Sequence, residues 1–262
     1  MAAGIENSNQ FRRGGPPVVA PPMWTNSGNA GQPLTDEELA VLATNATIVR
    51  FRRGETIFEE GDQVSFIYSI VEGLVKLYRR QPSGKEHIVR FMFQNDLIGL
   101  AEHGRYVNSA KSVTATILFK IPTQTLEARL RQSPGLEFHI IMKLCHELRR
   151  TQDRALLLSK HHTSAKIGLF VQMLEAEQQA RGENTTELYL PMTRTDIGAY
   201  VGISPEAVSR GFAELAGCGV IAFKDRRHLI VVDRAKLTAA IAETSRPGSV
   251  AGARRRRTRE PA

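Results

Sequence analysis

The stretch MTRTDIGAYVGISPEAVSRGFAELAGCGVI, residues 192–221, predicts two short helices joined by a glycine turn. Thr193 can cap the first helix, with Asp196 three residues on as its capping-box partner. Gly202 supplies the turn. The dipeptide Ser204–Pro205 favours the start of the second helix, because a hydroxyl serves the free amides and proline has a suitable φ. The stretch therefore predicts a helix-turn-helix.

The second predicted helix has one apolar face and one polar face. Its apolar residues follow helical spacing and should point inward: Val208, Phe212 and Leu215. Glu206, Ser209 and Arg210 then lie on the outward face. Arginine can donate to guanine, glutamate can accept from cytosine and serine can do either, in a major groove that admits one helix. The alternative is a solvated face that carries a Glu206–Arg210 ion pair.

The residues after this helix alternate as a β-hairpin would. Val220–Asp233 reads VIAFKDRRHLIVVD, and the tip of the predicted hairpin, Lys224–Arg227, is basic. Such a tip suits a wing that touches phosphate. Beyond the outward face of the helix, we expect DNA contacts from these residues: Thr193, Arg194, Ser204, Arg226 and Arg227.

These motifs carry a family resemblance. IGAYVGISPEAVSRGFAEL with its basic hairpin closely resembles the winged helix of the CRP/FNR family of bacterial transcription regulators. Upstream, Phe51–Gly99 is similar to the β-roll of cyclic-nucleotide-binding-like sensor domains. The glycines at the tight turns of that roll are Gly54, Gly61, Gly73, Gly84 and Gly99. The resemblance covers about residues 34–236 and implies an α+β fold with an antiparallel β-roll, a dimerisation helix and a winged helix-turn-helix.

The resemblance and the composition divide the chain into five parts. They are a disordered segment at 1–33, a sensor roll at 34–132, a dimerisation helix at 133–160, a winged helix-turn-helix at 161–236 and a C-terminal segment at 237–262. The first part is rich in glycine, proline, asparagine and alanine, which is typical of disorder. The last part contains the arginine run Arg254–Arg257, which serves either as a phosphate-binding arm or as a solubilising tail.

Ser133 and Pro134 predict the start of a long helix that runs to about Ser159. Its seam residues alternate spacings of three and four, as in a two-stranded coiled coil: Ile141, Leu144, Leu148, Thr151, Ala155 and Leu158. Pairing with a second copy would give a homodimer whose two recognition helices meet an inverted-repeat site. The alternative is that the stripe packs on the chain's own roll.

Composition limits the class of protein. A chain of 262 residues with 42% hydrophobic residues suggests about two domains. A formal net charge of +8 favours polyanionic partners. No apolar run is long enough to span a membrane, and Cys145 and Cys218 are the only cysteines. We therefore expect a cytoplasmic protein without a disulfide framework, and no motif of an enzyme is present.

The chain departs from the ligand-binding patterns of the family. Members that bind cyclic AMP carry Gly-Glu and later Arg-Ser-Ala, where this chain has Gly99-Leu100 and Asn108-Ser109-Ala110; Arg105 is not at the matching position. Members with an iron–sulfur cluster need four cysteines. We therefore expect no cofactor, as in the FixK-like group. Cyclic nucleotide and haem or metal remain the alternatives. The histidines that suggest haem or metal are His139 with His146 and His161 with His162.

The recognition helix adds three expectations. Its Glu206, Ser209 and Arg210 match the FNR-like branch, which by resemblance implies a TTGA-type half-site with an inverted TCAA partner. Gly211 costs the helix about 1 kcal/mol of propensity relative to alanine, and it either permits a close approach to DNA or is simply tolerated. Cys218 is either a redox switch, since oxidation would place negative charge near DNA phosphates, or a small half-buried hydrophobe.

The expected partners are double-stranded DNA, a second copy of the chain and RNA polymerase, with no membrane. Within this class, the alternative is a regulator gated by haem, redox state or a small ligand. A rival class is a regulatory module that controls an enzyme or a channel, but the segment that follows the roll has the features of a DNA reader. RNA is disfavoured, because the deep, narrow groove of duplex RNA does not admit a recognition helix.

Overall fold

The computed structural model describes residues 46–101, 103–182 and 187–242. The predicted disordered segment at 1–33 and the arginine run Arg254–Arg257 lie outside the described residues. So does the stretch LTDEELAVLA, residues 34–43, whose pattern predicts a short amphipathic helix capped by Thr35. No helix in the described ranges has the length and apolar character needed to cross a bilayer.

The N-terminal part is a β-roll of two four-stranded antiparallel sheets. The strands are β1 (Thr47–Phe51), β2 (Thr56–Phe58), β3 (Phe66–Glu72), β4 (Val75–Arg80), β5 (Glu86–Met92), β6 (Leu97–Ile98), β7 (Ser109–Ser112) and β8 (Thr116–Pro122). One sheet has the order β1-β8-β3-β6 and the other β2-β7-β4-β5. All five predicted turn glycines have positive φ angles, between 79° and 99°. The roll predicted from the sequence is therefore confirmed.

Two helices follow the roll. Helix α1 (Thr123–Gln132) was not predicted, because its N-cap is Pro122 and no side chain caps it. Helix α2 (Pro134–Ser159) begins as the sequence predicts, with Ser133 Oγ accepting from the Leu136 amide at 3.4 Å. One face of α2 buries Leu136, Ile140 and Leu157 against the rest of the chain.

The opposite face of α2 carries most of the predicted seam. Ile141, Leu144 and Leu148 are 46%, 48% and 61% exposed, so this part of the stripe does not pack on the chain's own roll. Thr151 and Ala155 are exposed as well. The prediction that Leu158 belongs to the seam was wrong. Leu158 is half-buried and packs with the core of the C-terminal part. The same face exposes Leu156, which the predicted seam left out.

The C-terminal part combines helices with a small sheet. Its elements are α3 (Thr163–Ala180), β9 (Leu188–Tyr189), α4 (Arg194–Val201), α5 (Pro205–Gly217), β10 (Ile221–Phe223), β11 (His228–Val231) and α6 (Arg234–Ala242). The three strands are antiparallel in the order β10-β11-β9. Helices α4 and α5 form the predicted helix-turn-helix, and β10 with β11 forms the predicted hairpin.

Helix α6 runs past residue 236, where the resemblance placed the end of this domain. Leu237 is buried in the shared core, and Ile241 packs beside it. Arg234 donates two hydrogen bonds to the Glu175 carboxylate on α3, at 2.8 and 2.6 Å. The sequence analysis missed this helix, whose local signal is the cap Asp233, because Asp233 Oδ1 accepts from the Lys236 amide at 2.9 Å.

The roll and the helix-turn-helix are joined by direct contacts. Lys76 Nζ on β4 donates to Asp196 Oδ1 on α4 at 2.8 Å and to Glu86 Oε2 on β5 at 2.6 Å. The rings of Phe91 and Tyr200 lie 5.3 Å apart across the same junction. One continuous core cluster includes side chains from both parts. The roll therefore contacts the first helix of the motif itself.

Candidate DNA-binding interface

Helix α4 begins with a complete capping box. The Asp196 amide donates to Thr193 Oγ1 at 3.1 Å, and Asp196 Oδ2 accepts from the Thr193 amide at 3.1 Å. Burial opposes the ionisation of Asp196, but hydrogen bonds from Lys76 and Thr193 outweigh it and lower the pKa of the carboxyl. This predicted cap is confirmed, and Asp196 also uses its second oxygen to hold the roll.

The turn between the two helices depends on two glycines. Gly202 adopts the left-handed conformation with φ of 74°, as the sequence predicts. Gly198 is the residue that sequence reasoning missed. Its carbonyl accepts from the amides of Gly202 and Ile203 at 2.9 and 3.1 Å, and a Cβ at this position would lie 2.6 Å from the Ile203 carbonyl oxygen. Only glycine allows the chain to reverse this closely.

The recognition helix α5 starts as predicted, with Ser204 Oγ accepting from the Ala207 amide at 3.2 Å and Pro205 in the first helical position. The inward residues Val208, Phe212 and Leu215 are all buried. The helix therefore presents a fixed outward face, because its inner face is anchored in the core.

Glu206, Ser209 and Arg210 are exposed on that outward face. Ser209 Oγ donates to the Pro205 carbonyl at 3.0 Å. The backbone amide of Glu206 and the Ser204 hydroxyl hold the pKa of the Glu206 carboxyl below its usual value, so it is an ionised acceptor. Among the described residues, Arg210 forms no salt bridge with Glu206 or with any other carboxylate. The charge of Arg210 also lowers the Glu206 pKa. The outward face thus offers an exposed guanidinium, a hydroxyl and a carboxylate to base edges.

Gly211 lies on the buried side of α5 against α3, so neither expectation for it holds. It is buried, and a Cβ added there would lie 2.8 Å from Ile167 Cγ1 and 2.9 Å from Thr163 Cγ2. Helix α5 therefore crosses α3 at a distance that only glycine permits. The lower helix propensity of glycine is offset by this close packing.

Arg194, which the sequence assigned to DNA contact, lies against two phenylalanines. Its guanidinium carbon is 4.1 Å from the centroid of Phe212 and 5.5 Å from that of Phe223. Desolvation by burial lowers the pKa of Arg194. Thr193 is exposed, but its hydroxyl is used in the capping box.

The wing tip is held by Asp225. Its carboxylate accepts from the amides of Arg227 and His228 at 2.6 and 2.9 Å and contacts His228 Nδ1 at 2.8 Å. Lys224 is ion-paired with Glu187. Arg226 and Arg227 remain exposed, and among the described residues neither side chain forms a salt bridge. These two arginines are therefore the available cations of the tip.

Cys218 is the C-cap of the recognition helix and is exposed. The interpretation of this residue as a half-buried hydrophobe is therefore wrong. The Cys218 carbonyl accepts from Lys236 Nζ at 3.4 Å, which places a cation beside this end of the helix. Cys145, on α2, is exposed as well.

The roll residues that the sequence analysis compared with the cyclic AMP-binding pattern have the following surroundings. Leu100 is 40% exposed. Ser109 is buried, where its hydroxyl accepts from the Glu60 amide at 2.9 Å and donates to Glu59 at 2.8 Å. Arg105 donates to the Gly61 carbonyl at 2.7 Å. Inside the roll, Phe58 and Tyr106 stack with ring centroids 3.9 Å apart.

A cavity of about 560 Å³ lies where the roll, α2, α3 and α4 meet. Apolar side chains such as Val89, Phe170 and Met173 line it together with ionic groups, among them the ion pair of Arg150 with Glu177. His146 lies beside them and accepts from Arg150 Nε at 2.7 Å. In the described part of the chain, no three His, Cys, Asp or Glu side chains gather as a metal site would require.

Comparisons with known proteins agree with this architecture. The cyclic nucleotide-binding domain family matches residues 48–133, and the Crp-like helix-turn-helix domain matches residues 167–240. The fumarate and nitrate reduction regulatory protein of Salmonella typhi is 30% identical over 197 residues, which cover 74% of this chain and 78% of that protein. The protein of the same name from Escherichia coli K12 is 30% identical over 177 residues, 67% of this chain and 71% of that protein.

Solved structures share the fold. FixK2 from Bradyrhizobium japonicum has a TM-score of 0.69 at 25% identity and covers 76% of this chain and 99% of its own. A CRP-family transcriptional regulator from Thermus thermophilus has a TM-score of 0.60 at 20% identity, over 74% of this chain and 97% of its own. With a roll, a long helix and a helix-turn-helix in the same order, the chain belongs to the CRP/FNR family of DNA-binding transcription regulators.

Proposed function

We propose that this regulator binds a TTGA-type inverted repeat as a homodimer and that it does so without cyclic nucleotide. The observation that carries the proposal is the outward face of α5, where Glu206, Ser209 and Arg210 are exposed on a helix anchored by its inner face. An exposed arginine can form two hydrogen bonds to guanine, and a nearby carboxylate can accept from cytosine.

The exposed apolar face of α2 supports the homodimer. Ile141, Leu144 and Leu148 present leucine-sized side chains to solvent at coiled-coil spacing, and a partner helix would remove them from water. Two copies related by a two-fold axis place their recognition helices about one helical turn of DNA apart. A half-site and its inverted partner are then read together.

The roll supports independence from cyclic nucleotide. Leu100 and Asn108 stand where cyclic AMP-binding members have a glutamate and an arginine, so neither the ribose nor the phosphate finds its charged partner. We therefore place the protein in the FixK-like group, and the likeness to FixK2 supports this. Its partners would be DNA and RNA polymerase in the cytoplasm, and it would not act as an enzyme.

Fluorescence anisotropy tests the proposal directly. The full chain is titrated with a duplex that carries TTGA and TCAA half-sites and with a scrambled duplex, without added ligand, across a salt series. We expect a preference of more than about a thousandfold for the repeat. Arg210→Ala should reduce this preference by about 1–3 kcal/mol, whereas the control Arg226→Gln should weaken both duplexes alike and reduce the salt slope by about one. Weak, unselective binding with a steep salt slope would contradict the proposal.

An effector-gated regulator is the second candidate, and the cavity of about 560 Å³ favours it. The cavity touches the roll, the long helix and the motif together, so a ligand there could change how they are arranged. Haem is one candidate ligand. A Soret band after haem addition, together with a gain in DNA affinity, would support this function. The absence of such a band would exclude haem as the ligand.

Redox gating is a further form of this second candidate, and the exposure of Cys218 favours it. Oxidation to a sulfenic or more acidic form would add negative charge at the end of the recognition helix. Peroxide should then abolish DNA binding in the wild type and leave Cys218→Ser unaffected. Equal loss in both proteins would exclude a switch at this residue.

A further inference from the structure

Arg194 is the residue where the recognition helix, the first helix of the motif and the wing meet. It occupies the first position of α4. Phe212, under its guanidinium, is on the inner face of α5 and is 2% exposed. Phe223 is the last residue of β10, immediately before the basic wing tip. One side chain thus touches all three elements that the proposed DNA reader uses.

The contacts of Arg194 are those of a packed side chain. Its guanidinium carbon lies 4.1 Å from the Phe212 centroid, within the range of a strong cation–π contact, and 5.5 Å from the Phe223 centroid. The two rings meet edge to face with centroids 5.6 Å apart. No carboxylate of the described residues pairs with Arg194, and its cation–π contacts are with these two rings.

We propose that Arg194 is a positioning residue that fixes the angle between the recognition helix and the wing, and that it acts through Phe212 and Phe223 rather than by contact with a DNA phosphate. This inference rests on the proposed function, because it concerns how the same reader becomes specific. A recognition helix in the groove and a wing on the backbone can bind together only if their relative angle is set. Charge alone supports binding to any sequence.

The exposure of Phe223 agrees with this role. The ring is 36% exposed on a strand of three residues, and in the described chain its ring contacts are with Phe212 and Arg194. Pairing with β11 holds the backbone at this end of the strand, and the two ring contacts are what join the end of β10 to α4 and α5. The wing tip, with Arg226 and Arg227, extends from this strand.

The test compares Arg194→Lys and Arg194→Met in the full chain. Lysine keeps the charge but loses the planar stack, so a positioning role predicts that both variants behave alike. We expect each to bind the TTGA–TCAA duplex about tenfold more weakly, with an unchanged salt slope and less loss on the scrambled duplex. Phe223→Leu should give the same result, and the double variant Arg194→Met, Phe223→Leu should add little more, because both changes break one contact.

Hydrogen exchange supplies a readout that does not depend on DNA. In the Arg194 variants, amides of β10 and β11 should exchange faster, while amides of the roll strands β3 and β4 should be unchanged. The control Arg226→Gln should reduce the salt slope by about one and leave the wing amides unchanged. If wild-type protein fails to prefer the repeat, the proposed function fails, but the exchange data still decide the role of Arg194.

The opposite pattern would overturn the inference. If Arg194→Lys binds like the wild type, Arg194→Met reduces the salt slope by about one and the wing amides stay protected in both, Arg194 is a phosphate contact.

Discussion

His146 is a half-buried titratable residue whose neighbours are mainly cations. It accepts a hydrogen bond from Arg150 Nε at 2.7 Å, and Arg90 and Arg149 also face it, with Asp96 as an opposing charge. Burial, followed by the charges of Arg150 and Arg90, lowers its pKa from 6.5 to about 4. The imidazole is therefore neutral in the folded protein at neutral pH.

This histidine makes stability depend on pH. Between pH 6.5 and about 4 the unfolded chain binds a proton that the folded chain excludes, so the free energy of unfolding falls as the pH is lowered through that window. His146→Gln retains a hydrogen-bond acceptor and cannot titrate. In urea-unfolding experiments we therefore expect its free energy of unfolding to fall less as the pH is lowered. Some slope should remain, since His87 beside Arg154 also has a lowered pKa. His161 is exposed, and His161→Gln is the control. If that variant flattens the pH dependence of stability as much as His146→Gln does, His146 is not its source.

At the scale of elements, the crossing of α5 over α3 depends on Gly211. An alanine Cβ would lie 2.8 Å from Ile167 and 2.9 Å from Thr163, so the helices must separate. We expect Gly211→Ala to destabilise the protein by about 1–2 kcal/mol, because the strain exceeds the gain in helix propensity. Gly217→Ala is the matched control in the same helix. Its Cβ would meet nothing within 4 Å, so it should be neutral or stabilise by up to about 1 kcal/mol.

Thermal unfolding followed by circular dichroism measures both glycine variants. The predicted order of midpoints is Gly217→Ala at or above the wild type and Gly211→Ala below it. The same midpoint for both variants would show that α5 and α3 can move apart without cost.

The elements that could be predicted from sequence are those with local signals. Thr193 and Ser204 cap their helices through side chains that reach amides three residues away, and Gly202 signals its turn by residue type. The residues that could not be predicted depend on distant contacts. Gly211 is required by Ile167, and Arg194 is placed by Phe223. The outward face of α5 was predictable because its inward face is a regular apolar stripe.

For the whole molecule, Lys76 is the ionic link between the roll and the reader. Its ammonium lies between Glu86 and Asp196, with the Lys76 and Asp196 side chains 12% and 13% exposed. Lys76→Met would leave the half-buried Asp196 carboxylate without its cation, whereas Glu86 would keep Lys111 at 2.9 Å. We expect this to destabilise the junction by about 3 kcal/mol, the low end for a buried pair. The amides of α4 should then exchange faster.

The matched control for Lys76 is Arg79→Met. Arg79 pairs with Glu60 inside the roll, and its side chain is 58% exposed. We expect little effect from this change. If α4 amides exchange at the wild-type rate in Lys76→Met, the ionic link does not hold the two parts together.

The proposed homodimer can be tested by a substitution at Leu148. This side chain is 61% exposed at the middle of the apolar face of α2, so a two-fold seam would bring the two copies of it close together. Leu148→Glu places two like charges there and removes two buried leucines, and we expect the dimer dissociation constant to rise at least about a hundredfold. Sedimentation velocity across a concentration series measures this.

Gln124→Glu adds the same charge to an exposed position on α1 and should sediment as the wild type. Since each monomer keeps its own recognition helix, Leu148→Glu should lose affinity for the inverted repeat far more than for a single half-site. A Leu148→Glu protein that sediments as a dimer would mean that the copies meet through another surface.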